Sequence, residues 1–241
     1  MMIKMNKAIT AAQSLIRSAQ RIVAFTGAGI STNSGIPDLA GIERILQDDP
    51  NFHQNPYTML DPEFAEQNPA LFYHLYRETF FHPQAIPNIA HQYLAKLEQD
   101  GKLAAVVTMN IDGLHQLAGN QHVVEYWGDM HRNHCTQCHH SYDWQPTTEQ
   151  SVPRCPACGG LILPDFVLRR LATYGDAVQS GEKMLRDADL IIIIGTQRRA
   201  NSFPSNIPKI VINQQHQTVS NRSSVMLTGN ATSICQQLMS R

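Results

Sequence analysis

The sequence has no apolar run approaching the ~20 residues of a membrane-spanning helix, and it carries little charge. Only 16% of its 241 residues are Asp, Glu, Lys or Arg, with a formal net charge of −1. A broad electrostatic grip on nucleic acid or on an acidic membrane is therefore not expected, and neither is counted among the partners. Residues 1–20 lack the apolar centre of a secretory signal, so the cytoplasm is the expected location. No internal repeat is present. Cysteine is too scarce for a disulfide framework: four of the five stand as two Cys-x-x-Cys pairs, and Cys235 is alone. Cys235 reads as a core or helix-face thiol.

Hydrophobic residues make up 42% of the chain, enough for one large α/β domain with a small insert. Continuous apolar runs at 22–26, 103–108, 189–196 and 209–213 read as strands buried on both faces. Shorter strands are expected at 123–125 and 225–227. Ile9, Ala12, Ile16 and Ala19 recur at helical spacing within 6–20. A helix over 87–100 has Pro87 at its start, Gly101 past its end and a stripe of Ile89, Tyr93, Leu94 and Leu97. A closing helix follows at 230–239. Residues 41–87, rich in Pro, Asn and aromatics, read as a helical insert with a short helix at Leu71, Phe72, Leu75 and Tyr76. Residues 197–208 read as loop. Strands alternating with helices make a doubly wound parallel sheet.

The first strand runs into Gly27-Ala28-Gly29-Ile30-Ser31-Thr32-Asn33-Ser34-Gly35-Ile36-Pro37-Asp38. Gly27 and Gly29 permit a tight turn and close approach of a phosphate to backbone N–H groups. Ser31 is placed either to bond a phosphate oxygen or to cap a helix. The dinucleotide fingerprint calls for a third glycine where this chain has Thr32, which disfavours the common dehydrogenase version. Gly35 and Pro37 end the element early and leave a long ligand loop. Asn110-Ile111-Asp112-Gly113-Leu114-His115 directly follows the strand at 103–108, at the strand end where open α/β sheets bind ligands.

Cys135-x-x-Cys138 and Cys155-x-x-Cys158 lie 16 residues apart. Two such knuckles supply four thiolates for a closed, tetrahedral, structural zinc site. The metal would hold together a ribbon too poor in aliphatics to fold on a core of its own. His134, His139 and His140 are expected at the surface.

The glycine loop, the Asn110–Asp112 run, the paired cysteines, Gly195-Thr196 and Ile212-Asn213, in this order, resemble the sirtuins, NAD-dependent protein lysine deacylases. The resemblance covers nearly the whole chain. It implies a Rossmann-type NAD-binding domain at 1–40, 87–130 and 164–241. A small domain would be formed by a helical insert at 41–86 and a zinc ribbon at 131–163. It implies NAD contacts from Gly27, Ala28, Gly29, Ser31, Pro37, Asp38, Asn110, Ile111 and Asp112. The adenosine side is implied at Gly195, Thr196, Asn213 and Ala231. NAD or ADP-ribose and an acyl-lysine or acidic peptide are the implied partners. In the family the acyl oxygen attacks the ribose carbon as nicotinamide leaves, and a histidine serves as general base on the ribose hydroxyls.

That histidine stands in a Glu-aliphatic-His-Gly run. Here the run is Glu125-Tyr126-Trp127-Gly128, so the base position is Trp127, whose indole N–H only donates. Loss of a general base typically costs about 10²–10⁴-fold. His115 and His131 match ordinary family histidines and supply no clear replacement. Further departures share the cleft. Leu39-Ala40 replaces Phe-Arg, Met109 replaces Gln, Gln197-Arg198 replaces Ser-Leu, and Arg169-Arg170-Leu171 replaces an aromatic-Gly-Glu run. Trp127 is read as filling the acyl-lysine tunnel, stacking on the ligand, or packing between domains. Arg169, Arg170, Arg198 and Arg199 either converge as an anion site or, as the simpler expectation, remain solvated. The expected function is NAD or ADP-ribose binding with ordinary deacetylation weak or absent, Asn110 and Asp112 remaining at the reacting centre. Two alternatives stay open. One is an active deacylase or ADP-ribosyl transfer enzyme using another base, such as Asp129 or Asp112. The other is a non-catalytic partner-binding module.

Overall fold

In the computed structural model, which describes residues 2–166, 174–219, 221 and 223–240, the apolar runs pair as one six-stranded parallel sheet. Helix α1 (Met2–Ser18) leads into β1 (Ile22–Thr26), whose five residues are all buried. Helices α2 (Leu39–Asp48), α3 (Pro62–Gln67) and α4 (Pro69–Thr79) follow. Then come α5 (Ile89–Gln99), β2 (Leu103–Thr108), α6 (Leu114–Ala118) and β3 (Val123–Glu125). Strands β4 (Gly128–Cys135), β5 (Ser141–Tyr142) and β6 (Ile162–Phe166) enclose the short helix α7 (Gln145–Glu149). The chain closes with α8 (Gly175–Arg186), β7 (Leu190–Ile194), β8 (Lys209–Asn213), β9 (Val225–Thr228) and α9 (Ala231–Met239).

The sheet order is β3-β2-β1-β7-β8-β9, every pair parallel. The chain winds outward from β1 in one direction and from β7 in the other, so the β1/β7 boundary is the topological switch point. Period-two alternation splits the strands between two cores. Ile22, Ala24, Val106, Ile192 and Ile210 face α1, α5 and α9, with Cys235 buried among them as a core thiol. Val23, Phe25, Val107, Ile191 and Ile193 face the other side, against Leu185 of α8, Phe203 and Ile207.

A third core unites the insert with the cysteine-rich segment. Phe64, Phe72, Tyr73 and Tyr76 pack with Met130, Leu163 and Phe166 of the antiparallel β5-β4-β6 sheet. Arg77 joins the two segments by donating to the carbonyls of Thr147 at 2.9 Å and Ser151 at 3.0 Å. Strands β4 and β6 begin before residue 131 and end after residue 163, crossing the limits read for the ribbon. Helix α5 starts two residues after Pro87: Asn88 is its N-cap, in a capping box with His91. The glycine loop contains two single-turn 3-10 helices, at Ala28–Ile30 and Thr32–Ser34, and residues 197–208 contain another at Ala200–Ser202. No helix among the described residues is long and apolar enough to cross a membrane.

Candidate functional site

A cleft of about 750 Å³ opens at the carboxyl ends of β1 and β7. This size suits a nucleotide-sized ligand. The β1 loop contributes Gly27, Ala28, Gly29, Pro37 and Asp38, and the β2 loop contributes Asn110, Ile111 and Asp112. Gly195, Thr196, Asn213 and Ala231 line the other side, and Trp127 forms part of the wall. The structure therefore gathers every residue expected at the nucleotide site around one cleft except Ser31, which is not part of the lining.

Ser31 is fully buried and does not cap its turn. Its hydroxyl donates to Asp112 Oδ2 at 2.7 Å and accepts from Asn110 Nδ2 at 3.1 Å. Asn110 Nδ2 also reaches Asp112 Oδ2 at 3.2 Å, and the Leu114 N–H donates to Asp112 Oδ1 at 3.0 Å. Burial nonetheless holds the Asp112 carboxyl above its ordinary range, against the downward pull of these donors.

Two histidines absent from the sequence-level site lie beneath this network. His91 Nε2 is 3.4 Å from Ser31 Oγ, and its Nδ1 accepts from the Asn88 N–H at 3.3 Å. Nε2 therefore carries the proton. Thr26 donates to Thr108 Oγ1 at 2.8 Å, so its oxygen is left to accept from His115 Nε2 at 2.9 Å. His115 Nδ1 is then a buried acceptor without a partner in the structure. The two rings lie 4.9 Å apart. Burial lowers His91 to about 4 and His115 well below the usual histidine range, so both are neutral supports. His115 was visible in its motif. His91 was not, because its partner Ser31 lies 60 residues away in sequence.

The glycines act through loop packing. A Cβ on Gly29 would lie 2.8 Å from Gly195 Cα, and one on Gly195, at φ +63°, would lie 2.3 Å from Ile30 N. Gly29 N–H donates to Gly195 O at 2.8 Å. The β1 and β7 loops thus meet backbone to backbone, as only glycine allows. Asp38 lines the cleft and also caps α2, accepting from Gly41 N at 3.0 Å. Asn213 Nδ2 and Gln217 Nε2 donate to Thr196 O at 2.7 and 3.2 Å, fixing the far end.

Trp127 packs on both the β4–β6 core and the α8-side core, as an indole set between two modules would. Of the two alternative bases, Asp112 lines the cleft. Asp129 is not part of the lining; its Oδ1 is bonded to His131 Nδ1 at 2.7 Å and to the His131 N–H at 2.8 Å. Burial raises Asp129, but these bonds bring it below its ordinary value, and they raise His131. Glu125 is lifted to about 7, first by burial and then by the charge of Asp129.

Of the four arginines, Arg198 and Arg199 both line the cleft. Arg169 and Arg170 lie outside the described residues. Arg198 is neither solvated nor free: its NH1 donates to Glu182 Oε1 at 2.7 Å, and its guanidinium lies 5.0 Å from the Phe25 ring centre and 4.3 Å from that of Phe203. Tyr126 Oη donates to the same Glu182 oxygen at 3.1 Å. Arg199 alone of the pair is exposed.

The metal centre fits zinc. The sulfurs of Cys135, Cys138, Cys155 and Cys158 all lie within 4.8 Å of one another, with Cys135–Cys158 at 3.5 Å and Cys138–Cys155 at 3.6 Å. Four ligands at about 2.3 Å from a tetrahedral ion stand roughly 3.8 Å apart, close to these spacings. Gly160 leaves room for one of them, since a Cβ there would lie 2.7 Å from Cys135 Sγ. His134 is instead hydrogen-bonded to Asp165, outside the cysteine cluster.

Comparison with known proteins gives the same architecture. Residues 27–202 match the model of the Sir2 family. A protein of Clostridium tetani named NAD-dependent protein deacetylase is 40% identical over 184 residues, covering 76% of this chain and 74% of that protein. One of the same name from Staphylococcus aureus is 31% identical over 231 residues, covering 93% and 95%. A solved structure concerning sirtuin substrate affinity superposes with a TM-score of 0.82 at 30% identity, covering 94% of this chain and 96% of the other. Sir2 with a p53 peptide and NAD+ gives 0.78 at 30% identity, covering 94% and 95%. With its parallel sheet, its four-cysteine centre and its cleft at the switch point, this chain belongs to the Sir2 family of NAD-dependent protein deacetylases.

Proposed function

We propose that this protein binds NAD or ADP-ribose in the switch-point cleft and that its turnover of acetyl-lysine is weak or absent. The observation that carries this reading is Trp127 in the cleft wall, a residue that the sequence resemblance aligns with the family's base histidine. An indole N–H donates and cannot accept a proton, so Trp127 is not competent as a general base. Its packing against two hydrophobic cores supports a space-filling role.

NAD, when bound, supplies an electrophilic ribose carbon. This chain's part is to hold and orient it. Gly27, Ala28 and Gly29 would present backbone to the diphosphate. Asn110, Ile111 and Asp112, braced by Ser31, would face the nicotinamide ribose. Pro37 and Asp38 would close over it. Gly195, Thr196, Asn213 and Ala231 would hold the adenosine side. The helical segment 41–86 and the ribbon 131–163 would act as a small domain across the cleft, the place for an acyl-lysine or acidic peptide. Cytoplasmic residence accords with this cofactor, and no nucleic acid is required.

The test measures nicotinamide release with and without an acetyl-lysine peptide, for the parent and for Trp127→His, alongside NAD calorimetry. The expected result is that the parent binds NAD without release and that the variant gains deacetylation of the peptide by at least about 10²-fold, the lower end of a general base's contribution. Release by the parent at the variant's rate would overturn the reading.

A further inference from the structure

The charges lining the cleft are segregated. Among the described residues its carboxylates are Asp38 and Asp112, both on the β1–β2 side, and its guanidiniums are Arg198 and Arg199, both on the β7 side. Across from these arginines, the carboxyl end of β8 continues into Gln214, Gln215, His216 and Gln217. Amides and an imidazole stand there, with no carboxylate among them. Arg198 is committed to Glu182 at 2.7 Å, and its charge is balanced. Arg199 is exposed at the cleft and leaves that end with an uncompensated positive charge among its lining residues.

Dinucleotide sites that select an unphosphorylated adenosine ribose use a carboxylate to accept its 2′-hydroxyl. Sites for the 2′-phosphate place an arginine there instead. The β7–β8 end has the second chemistry. We propose that it accepts adenosine bearing a 2′-phosphate, with Arg199 meeting the phosphate and the exposed amides of Gln214 and Gln215 and His216 completing its hydrogen bonds. The far end, with Asp38 and Asp112, repels such a group and so sets the direction of the nucleotide. This rests on the dinucleotide reading of the cleft and adds the nucleotide class to it.

The experiment is calorimetric titration of the full chain with ADP-ribose and with 2′-phospho-ADP-ribose, for the parent, Arg199→Ala and Arg199→Glu, with a melting scan to show that each is folded. The parent is expected to bind the 2′-phosphorylated nucleotide at least as tightly as ADP-ribose. The ratio of the two affinities should shift about tenfold against the phosphorylated form in Arg199→Glu, and less in Arg199→Ala. Raising the salt should narrow the parent's ratio, because the group is exposed. A parent that binds ADP-ribose but rejects the 2′-phosphate tenfold overturns the proposal, as does a ratio unmoved by Arg199→Glu. Binding of neither nucleotide removes the dinucleotide reading itself, and this proposal with it.

Discussion

Ser31 donates its hydroxyl to Asp112 at 2.7 Å, joining the loops that follow two adjacent strands. One buried oxygen thus serves Asp112, Asn110 and His91 together. Ser31→Ala leaves His91 Nε2 without its partner and takes one bond each from Asp112 and Asn110, which still bond one another, and a buried polar group left unsatisfied costs about 1–3 kcal/mol. The variant is expected to melt roughly 2–12 °C lower. It should also bind ADP-ribose about tenfold more weakly as Asp112 loses a donor. Thermal scans and calorimetry read both effects.

Arg198 and Glu182 form a fork closed by Tyr126 and by the faces of Phe25 and Phe203. The side chains are 25% and 30% exposed, so the pair is partly sheltered from solvent. A double-mutant cycle of Arg198→Met and Glu182→Gln in urea is expected to give a coupling of about 1 kcal/mol. A coupling near zero would mean that the aromatic faces alone hold the guanidinium.

His91 adds an acid-sensitive element. Its imidazole stays neutral in the folded state down to about 4, whereas the unfolded residue gains a proton near the ordinary value of 6.5. The unfolded state therefore binds more protons between these values, and stability is lost as pH falls through that window. His115 acts in the same direction. His91→Gln is expected to flatten the dependence of the melting temperature on pH between about 4 and 6.5. An unchanged slope would place the charge elsewhere.

The zinc centre predicts one ion per chain by atomic absorption. Stripping the metal, or Cys155→Ser, should loosen the cysteine end of the β4–β6 sheet first, since Cys135, Cys155 and Ile162 form only a small cluster there. Loss of near-ultraviolet signal from Trp144, ahead of the parallel-sheet transition, is the expected sign.

The parallel sheet was legible because each of its long strands is a continuous apolar run, and the zinc centre because ligand spacing is local. The ribbon strands were not legible: β4 reads Gly-Asp-Met-His-Arg-Asn-His-Cys, with burial carried by Met130, Asn133 and Cys135 instead of aliphatic alternation. Helix α8 escaped for a similar reason, since its buried positions are only Gly181 and Leu185. Asn88 carried a readable capping signal that Pro87 masked. The pairings that build the site interior, Ser31 with Asp112, Thr26 with His115 and Arg198 with Glu182, join residues far apart in the chain, and periodicity carries no trace of them.

The glycine seam between the β1 and β7 loops has a mechanical meaning. Gly27 N–H is tied to Ile194 O at 3.1 Å, Gly29 N–H to Gly195 O at 2.8 Å, and Gly195 N–H to Ile212 O at 3.0 Å. Three successive strand ends are laced through main chain alone, with no side-chain rotamer available to absorb a displacement. The floor of the cleft therefore behaves as a single stiff plate. Any widening that admits a ligand must be taken up by the opposite wall, which includes Asp38 at the start of α2 and Trp127 just past β3.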